Sequence, residues 1–460
     1  MHRRVKYALI LLIITISGCA PGPFEDSSWP APRPLGRDLE AVRLYQLPDG
    51  TMISSTIQEP KGTLSLRQAI TAALLGSPDL AATSYEVRAR EAEALQAGLI
   101  PNPKLEVELE NFAGSGEFSD FDTLETTLAL SQVVELGGKR IKRQRIAEYE
   151  ARIAGWEYEI RRIDVLSKTA ADYVSLLAAH RQQRIAFETL ELAQRVFDAV
   201  DERVDAGKVS PLERIKAGVE LAQSQLDREQ SLLAVAAARI RLASNWGSTN
   251  PSFENLSGDL DKTDSPPTFD KVVARVVQNP DLARWAAEAS LRQAEVTLAL
   301  AQRIPDITVT GGLRRFNELD ETAFVAGLSL PLPVFDQNQG NIRAARLRAI
   351  QGGRLEEAAR VQIHTAIAEA FQILEAAFIS VQTTRNQILP SAVLAFEATE
   401  EAFRQGKIGS LDLFDSERTL FDVRRQLTES LTTYHLAVIA LERLIGAPLH
   451  EIDQTQRSEQ

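Results

Sequence analysis

The sequence predicts a mainly α-helical protein with a small β part, built from two copies of one strand–strand–long-helix unit. Three observations support this fold class. Local sequences recur in the same order at a spacing of about 200 residues. Two very long stretches rich in Ala, Leu, Glu, Arg and Gln favour helix by intrinsic propensity. Short runs between the helical stretches alternate apolar and polar residues, as half-buried strands do.

The repeat is carried by matched local sequences whose order is the same in both copies. They are SPDL at 77–80 with NPDL at 279–282, Ile100-Pro101 with Ile304-Pro305, Leu130 with Leu330, GKV at 207–209 with GKI at 406–408, and Gly247 with Gly446. The sequence therefore predicts a first repeat at 64–260 and a second at 261–450, followed by a polar C-terminal tail at 451–460.

The N-terminus is typical of an export signal, predicted at 1–18. Basic residues precede an apolar run at 7–16 that is too short for a membrane-spanning helix, which needs about 20 residues. The run ends at ISGC (16–19), which resembles a lipobox and predicts acylation of Cys19. The alternative is an ordinary secretory peptide with an incidental cysteine. Residues 19–63 are rich in proline and predict an extended, acylated linker.

Composition excludes several classes of protein. The formal net charge of −12 argues against nucleic-acid binding and suits an acidic duct or a periplasmic body. A single cysteine excludes an intramolecular disulfide. No later stretch approaches 18 uninterrupted apolar residues, so a membrane crossing would have to use strands.

Each copy predicts the same order of helices. The predicted helices are 64–98, 139–206 and 211–246 in the first copy, and 269–303, 341–405 and 410–445 in the second. A helix of ~65 residues is roughly 100 Å long, more than a globular core accommodates. Charges along 148–162 exclude a membrane span. With a globular core and a membrane span excluded, the sequence predicts antiparallel helices packed side by side.

Two strands are predicted between the first and second helices of each copy, at 105–110 and 124–130 and at 307–313 and 323–330. In the first strand Leu105, Val107 and Leu109 share one face, and acidic residues occupy the other. Soluble sandwich strands alternate too, but these lengths approach the 9–11 residues of a tilted membrane strand. Four strands cannot close a barrel, whereas three chains would supply twelve.

The arrangement resembles the TolC-like outer-membrane efflux ducts over most of 64–448. The resemblance rests on the SPDL and NPDL segments, which look like the family's helix interruption, and on the strand exit LSLPLPVFD (328–336). It rests also on QVVELGGKR (132–140), which is similar to the exit of the CzcC/CusC-type heavy-metal branch. It implies a lipid-anchored homotrimer with a 12-stranded membrane β-barrel, continued by a periplasmic α-helical barrel. It also implies a passive exit duct for a proton-driven inner-membrane pump and a periplasmic adaptor. The implied cargo is heavy-metal cations; drugs or other small molecules are the alternative.

The resemblance also implies roles for residues at the predicted hairpin tips. The turns would contact the adaptor; their residues are Gly207, Lys208, Val209, Ser210, Gly406, Lys407, Ile408 and Gly409. Asp412 and Asp415 would line a periplasmic gate, and their i, i+3 spacing places them on one helix face. A solvated helix start is the alternative explanation, since acids are common there. The first copy has Glu213 and Lys216 at the matching positions.

No catalytic, cofactor or metal-binding pattern is present, and the sequence predicts that the protein is not an enzyme. The five histidines form no HExxH motif, and Gly114-Ser115-Gly116 lies in a loop between strands. Two other classes of protein fit the sequence less well. A periplasmic adaptor would have one helical hairpin flanked by β-domains, and a coiled-coil scaffold lipoprotein would leave the strands and the repeat unexplained.

Overall fold

The computed structural model describes residues 59–276 and 279–449. The predicted signal peptide 1–18, the predicted lipidation site Cys19 and the tail 451–460 lie outside the described residues, as does most of the linker 19–63. The described residues form two successive sets of helices and strands.

The first set contains β1 (Gly62–Ser65), α1 (Leu66–Gly76), α2 (Pro78–Ala97), β2 (Lys104–Glu110), β3 (Glu125–Val134), α3 (Lys139–Asp205), α4 (Pro211–Ser244) and β4 (Phe253–Ser257). The second set contains α5 (Phe269–Ala274), α6 (Pro280–Ala301), β5 (Ile307–Phe316), β6 (Glu321–Ser329), α7 (Gln339–Thr383), a π-helical turn (Thr384–Ile388), α8 (Leu389–Arg404) and α9 (Ser410–Ile445). The predicted order of long helices and of β2, β3, β5 and β6 is confirmed.

The helices predicted at 64–98 and 269–303 are not continuous: each is interrupted at its SPDL or NPDL segment, as the resemblance of these segments to a helix interruption implies. Ser77 separates α1 from α2, whereas α5 ends at Ala274, well before α6. In both copies the following helix begins at a proline, directly after Ser77 or Asn279. Both residues are extended, because a following proline disfavours the α conformation. Their side chains then accept hydrogen bonds from the backbone N–H groups of Leu80 (3.3 Å) and Leu282 (3.1 Å), so each caps the helix that follows.

The long helices differ between the two copies. Helix α3 is continuous for 67 residues, about 100 Å at ~1.5 Å per residue. The matching prediction of one regular helix at 341–405 was only partly right, because the π-helical turn separates α7 from α8. Pro390, which has no N–H to donate, lies in the first turn of α8. The return helices α4 and α9 begin where they were predicted.

The four predicted strands form one antiparallel sheet in the order β2-β3-β5-β6. The central pair, β3 and β5, joins the two copies, with Leu128 opposite Leu313. Strands β2 and β6 form the outer edges, and within the described residues neither has a second strand neighbour.

A second, two-stranded sheet was not predicted, so the expectation of only four strands was wrong. Strands β1 and β4 pair in parallel, with Leu64 opposite Leu256. The Tyr173 hydroxyl of α3 donates a hydrogen bond to the Leu64 carbonyl at 2.9 Å. The strands are too short for an alternation signal, and their pairing depends on packing against α3.

Helix packing supplies most of the core. One cluster of buried residues joins α3 and α4 to α8 and α9 near the hairpin turns, and therefore links the two copies. Among the helices of the described residues, none is long and apolar enough to cross a membrane.

Candidate functional site

One face of the four-stranded sheet is apolar and exposed. One cross-strand row runs through all four strands and consists of Val107, Leu128, Leu313 and Phe324. Phe324 is 91% exposed, and the other three side chains of the row are also exposed. Leu105, Leu109, Leu130, Val309 and Leu328 lie on the same face. Such a contiguous apolar patch marks a surface that is covered by a partner or by lipid.

The opposite face is mostly polar, and its central strand is covered. On β3, Thr127, Ala129 and Ser131 are buried, whereas their apolar neighbours Leu128 and Leu130 are exposed. Long side chains of the neighbouring strands cover this face, since Arg314 contacts Thr127 and Glu106 contacts Ser131.

Gly312 permits a close approach of β5 to β3 on the polar face. A Cβ atom added there would lie 2.4 Å from the Leu128 carbonyl oxygen and 2.7 Å from the Ala129 Cα. Backbone atoms cannot move away cheaply, so only glycine fits at this position.

The sequence of β2 alone suggested an acidic polar face, but the face also carries a basic residue. Arg314 of β5 forms ion pairs with Glu110 at 2.9 Å and with Glu125 at 3.1 Å, and its Nε donates to the Thr127 hydroxyl at 2.8 Å. Glu106 accepts a hydrogen bond from Ser131 at 3.3 Å. The face therefore carries carboxylates from β2 and β3 together with one arginine, which sequence reasoning missed because the partner strand was unknown.

An ionic clamp fastens the sheet to α3. Asp306, just before β5, accepts hydrogen bonds from the Leu136 N–H at 2.9 Å and the Lys139 ammonium at 2.8 Å. Gly137 and Gly138 both have positive φ, which lets the chain turn from β3 into α3. The ELGGKR segment thus contacts the second copy, and Asp306 is a further residue that sequence reasoning missed.

Both glycine turns have the geometry that the sequence indicated. Gly207 (φ +68°) and Gly406 (φ +73°) adopt the left-handed conformation after α3 and α8. The next N–H in each turn, of Lys208 or Lys407, bonds back to a helix carbonyl at 2.9 Å, as in a Schellman motif. Val209 and Ser210 complete the first turn, and Ile408 and Gly409 the second; Ser210 caps α4.

The two hairpin tips pack against each other. Arg203 at the end of α3 lies 4.1 Å from the ring centroid of Phe403 in α8 and donates a hydrogen bond to its carbonyl at 2.8 Å. The Ser410 hydroxyl donates a hydrogen bond to the Glu213 carboxylate. This hydrogen bond, followed by the interaction with Lys216, holds the pKa of Glu213 below its usual value.

Asp412 and Asp415 lie in the first two turns of α9, and both are exposed. Leu413 and Phe414 between them are buried, so the two acids lie on the opposite side of α9 from the tip contact. Asp415 is paired with Arg418 at 2.6 Å. In the first copy Glu213 instead faces the other hairpin and Lys216 pairs with it at 3.3 Å. The copies therefore differ in geometry here as well as in sequence.

Within 59–276 and 279–449, no three His, Cys, Asp or Glu side chains come close enough to hold a metal ion together.

Comparison with known proteins agrees with this geometry. The family model described as outer membrane efflux protein matches residues 69–248 and 275–447. The cobalt-zinc-cadmium resistance protein CzcC of Cupriavidus metallidurans is 31% identical over 396 residues, which cover 86% of this chain and 93% of that protein. The pyoverdine export outer membrane protein OpmQ of Pseudomonas aeruginosa is 26% identical over 446 residues, covering 90% and 93%.

A solved structure of CusC, described in terms of transmembrane channel formation, superposes with a TM-score of 0.70. The superposition covers 85% of this chain and 96% of the CusC chain, at 18% sequence identity. At that identity the likeness concerns the fold, which is the long-helix and four-stranded-sheet arrangement described above.

Proposed function

Because the chain belongs to the outer membrane efflux protein family, we propose that three copies form the exit duct of a tripartite efflux system for heavy-metal cations. The family is one of outer-membrane channels with a large periplasmic part, not of enzymes. The proposal concerns the trimer, its partners, its gate and its cargo.

The observation that carries the proposal is the four-stranded sheet with an apolar face, a polar face and two unpaired edges. In a bilayer, exposed strand edges are not tolerated, because no water is present to satisfy their N–H and C=O groups. Pairing β2 of one copy with β6 of the next closes a ring after three copies, with twelve strands in the range of bacterial barrels. The row from Val107 to Phe324 then faces lipid, and Glu106 and Glu108 face the lumen.

The helices supply the periplasmic part of the duct. Helix α3 is roughly 100 Å long and leads from the sheet to the first hairpin tip. The exposed tip residues, 207–210 and 406–409, are the proposed contacts of the periplasmic adaptor, which would connect the duct to an inner-membrane, proton-driven pump. Their position supports this role, because they follow the ends of α3 and α8 that lie away from the sheet.

Asp412 and Asp415 are the proposed gate. Both side chains are exposed on one side of α9, so a threefold axis on that side would gather six carboxylates around it. Such a ring favours cations and raises a barrier to anions. Arg418 reduces the charge of Asp415 in each copy without removing that of Asp412.

The proposed cargo is a divalent heavy-metal cation. CzcC, whose name records cobalt, zinc and cadmium resistance, is 31% identical over most of both chains. The chain is also acidic, with a net charge of −12. A small-molecule cargo is the second candidate, favoured by the 26% identity to a pyoverdine exporter.

Extraction from the outer membrane, chemical crosslinking and planar-bilayer recording test the proposal together. We expect a crosslinked species of three protomer masses, conductance through a water-filled lumen, and preference for cations. A host strain that lacks the protein should accumulate the metal that the matched strain with the protein expels. A strictly monomeric protein that needs no detergent would contradict the duct, whereas unchanged metal tolerance with intact conductance would favour the small-molecule cargo.

A further inference from the structure

Near the hairpin tips, the packing of α9 buries a carboxylic acid that the proposed gate does not use. Glu417 lies in the second turn of α9 and is 3% exposed. Its Oε2 atom is buried and has no hydrogen-bond partner among the described residues. A buried carboxylate without a partner is unfavourable, because burial removes the water that stabilises its charge.

The surroundings of Glu417 are mostly apolar. Its neighbours on the same face of α9 belong to the cluster that joins α9 to α3, α4 and α8; that cluster includes Leu413, Phe421, Val196, Ala217 and Phe403. Two charged groups from the facing helices act on the carboxyl: Glu220 of α4 and Arg195 of α3. Arg195 also forms an ion pair with Glu191 at 3.3 Å, so its attraction for the Glu417 carboxylate is shared with Glu191.

Burial and, next, the charge of Glu220 raise the pKa of Glu417 to about 8, with Arg195 acting in the opposite direction. The side chain therefore carries a proton at neutral pH. The pKa in the packed state exceeds the ordinary value of 4.5. The contribution of Glu417 to the stability of the packed state is therefore complete below pH 4.5. It is lost as the pH rises through about 8.

The geometry points to Glu417 as a proton-operated latch of the hairpin tip. When Glu417 is protonated, its side chain stays packed against α3 and α4 and holds the two tips together. Ionised, it is repelled by Glu220 and seeks water, so α9 moves away from α4 and the tip opens. The latch lies close to the contact between Ser410 and Glu213, and opening it would move Asp412 and Asp415 with the first turns of α9. This inference rests on the proposed function, since a latch requires a gated duct.

Conductance of the full-length protein in planar bilayers, recorded from about pH 6 to about pH 9.5, tests the latch. Wild type should show a several-fold rise in conductance as the pH rises from 6 towards and past about 8, the pKa of Glu417 in the packed state. Glu417→Gln keeps the shape but cannot ionise, and should keep the low conductance throughout. Glu429→Gln, an exposed acid on the same helix, is the matched control and should behave as wild type. Glu220→Gln removes the like charge, lowers the pKa of Glu417 and should move the end of the conductance rise to lower pH.

Thermal unfolding over the same pH range separates a latch from a folding defect. The melting temperature of wild type should fall as the pH rises through 8, and that of Glu417→Gln should not. A Glu417→Gln duct that opens with pH as wild type does would overturn the latch while leaving the duct intact. A wild-type protein that is monomeric and does not conduct at any pH would overturn the proposed function, and the latch with it.

Discussion

The Ser410 hydroxyl donates a hydrogen bond to the Glu213 carboxylate and thereby joins the start of α9 to the start of α4. These two residues belong to different copies of the repeat. Glu213 of the first copy uses its charge in this contact, whereas Asp412, at the matching position of the second copy, is exposed. It therefore makes the two hairpin tips one packed unit.

Removing this contact should loosen the tip. We expect Ser410→Ala to weaken the closed state by about 1 kcal/mol, or roughly fivefold in the closed-to-open ratio, because one hydrogen bond to a charged group is lost. Single-channel recording measures the change, with Ser391→Ala on the exposed side of α8 as the control. Because the pKa of Glu213 is depressed, the contact should hold above its ordinary value of 4.5 and weaken as the pH falls below it. Equal open times in both variants would contradict a closing role.

The gate prediction concerns charge selectivity. Asp412→Asn combined with Asp415→Asn should lower the cation-to-anion permeability ratio, since the exposed carboxylates of three copies are neutralised at one level of the duct. Reversal potentials in a salt gradient measure the ratio. Asp422→Asn, farther along α9 and paired with Arg425, is the control. If the double variant keeps the wild-type ratio, these aspartates do not form the constriction.

Gly312 should be indispensable to the sheet. A valine there collides with the backbone of β3, and we expect a loss of about 3 kcal/mol or more. Gly311→Val is the matched control, because no atom lies within 4 Å of the added Cβ. Heat-modifiable migration on gels reports the folded barrel. Similar amounts of folded protein from the two variants would show that β3 and β5 are not held this closely.

The two faces of the sheet should differ in their tolerance of charge. Leu313→Arg places a cation on the apolar face and should destabilise the membrane-inserted form by about 2–4 kcal/mol. Thr310→Arg adds the same side chain to the polar face of the same strand and should cost far less. Urea unfolding in detergent or lipid vesicles measures both. A larger effect of Thr310→Arg would reverse the assignment of the lipid and lumen faces.

Cys19 is expected to carry the lipid anchor. Cys19→Ala should abolish incorporation of labelled palmitate and leave the signal peptide uncleaved by the lipoprotein pathway, because acylation needs the thiol. Mass spectrometry of the N-terminal peptide measures the outcome. A wild-type peptide with an unmodified cysteine would support the alternative of an ordinary secretory signal.

Many of the elements follow from short-range patterns. The alternation around Val107 predicted β2, and the glycines at 207 and 406 predicted the ends of α3 and α8, since each depends on neighbours within a few residues. At Ser77 and Asn279 the helical pattern of the whole stretch predicted one helix, whereas the resemblance of the SPDL and NPDL segments implied an interruption. The structure agrees with the interruption, because the residue before a proline disfavours the α conformation.

The site was less predictable than the fold. Asp412 and Asp415 could be singled out because they follow a recognisable turn. Arg314 and Glu417 could not, because their partners lie on other elements and no local pattern marks them. Glu417 reads as one more acid on a helix until packing against α3 and α4 removes its water.

The sequence by itself determined the duplication, the strand faces and the long helices, because these depend on residue type and on periodicity along one chain segment. Tertiary structure alone decided that β1 pairs with β4, that Arg314 forms ion pairs with Glu110 and Glu125, and that Glu417 is buried. These outcomes depend on distance, desolvation and charge between segments far apart in the chain. The physical reason is that a side chain's protonation and pairing are set by what packs around it.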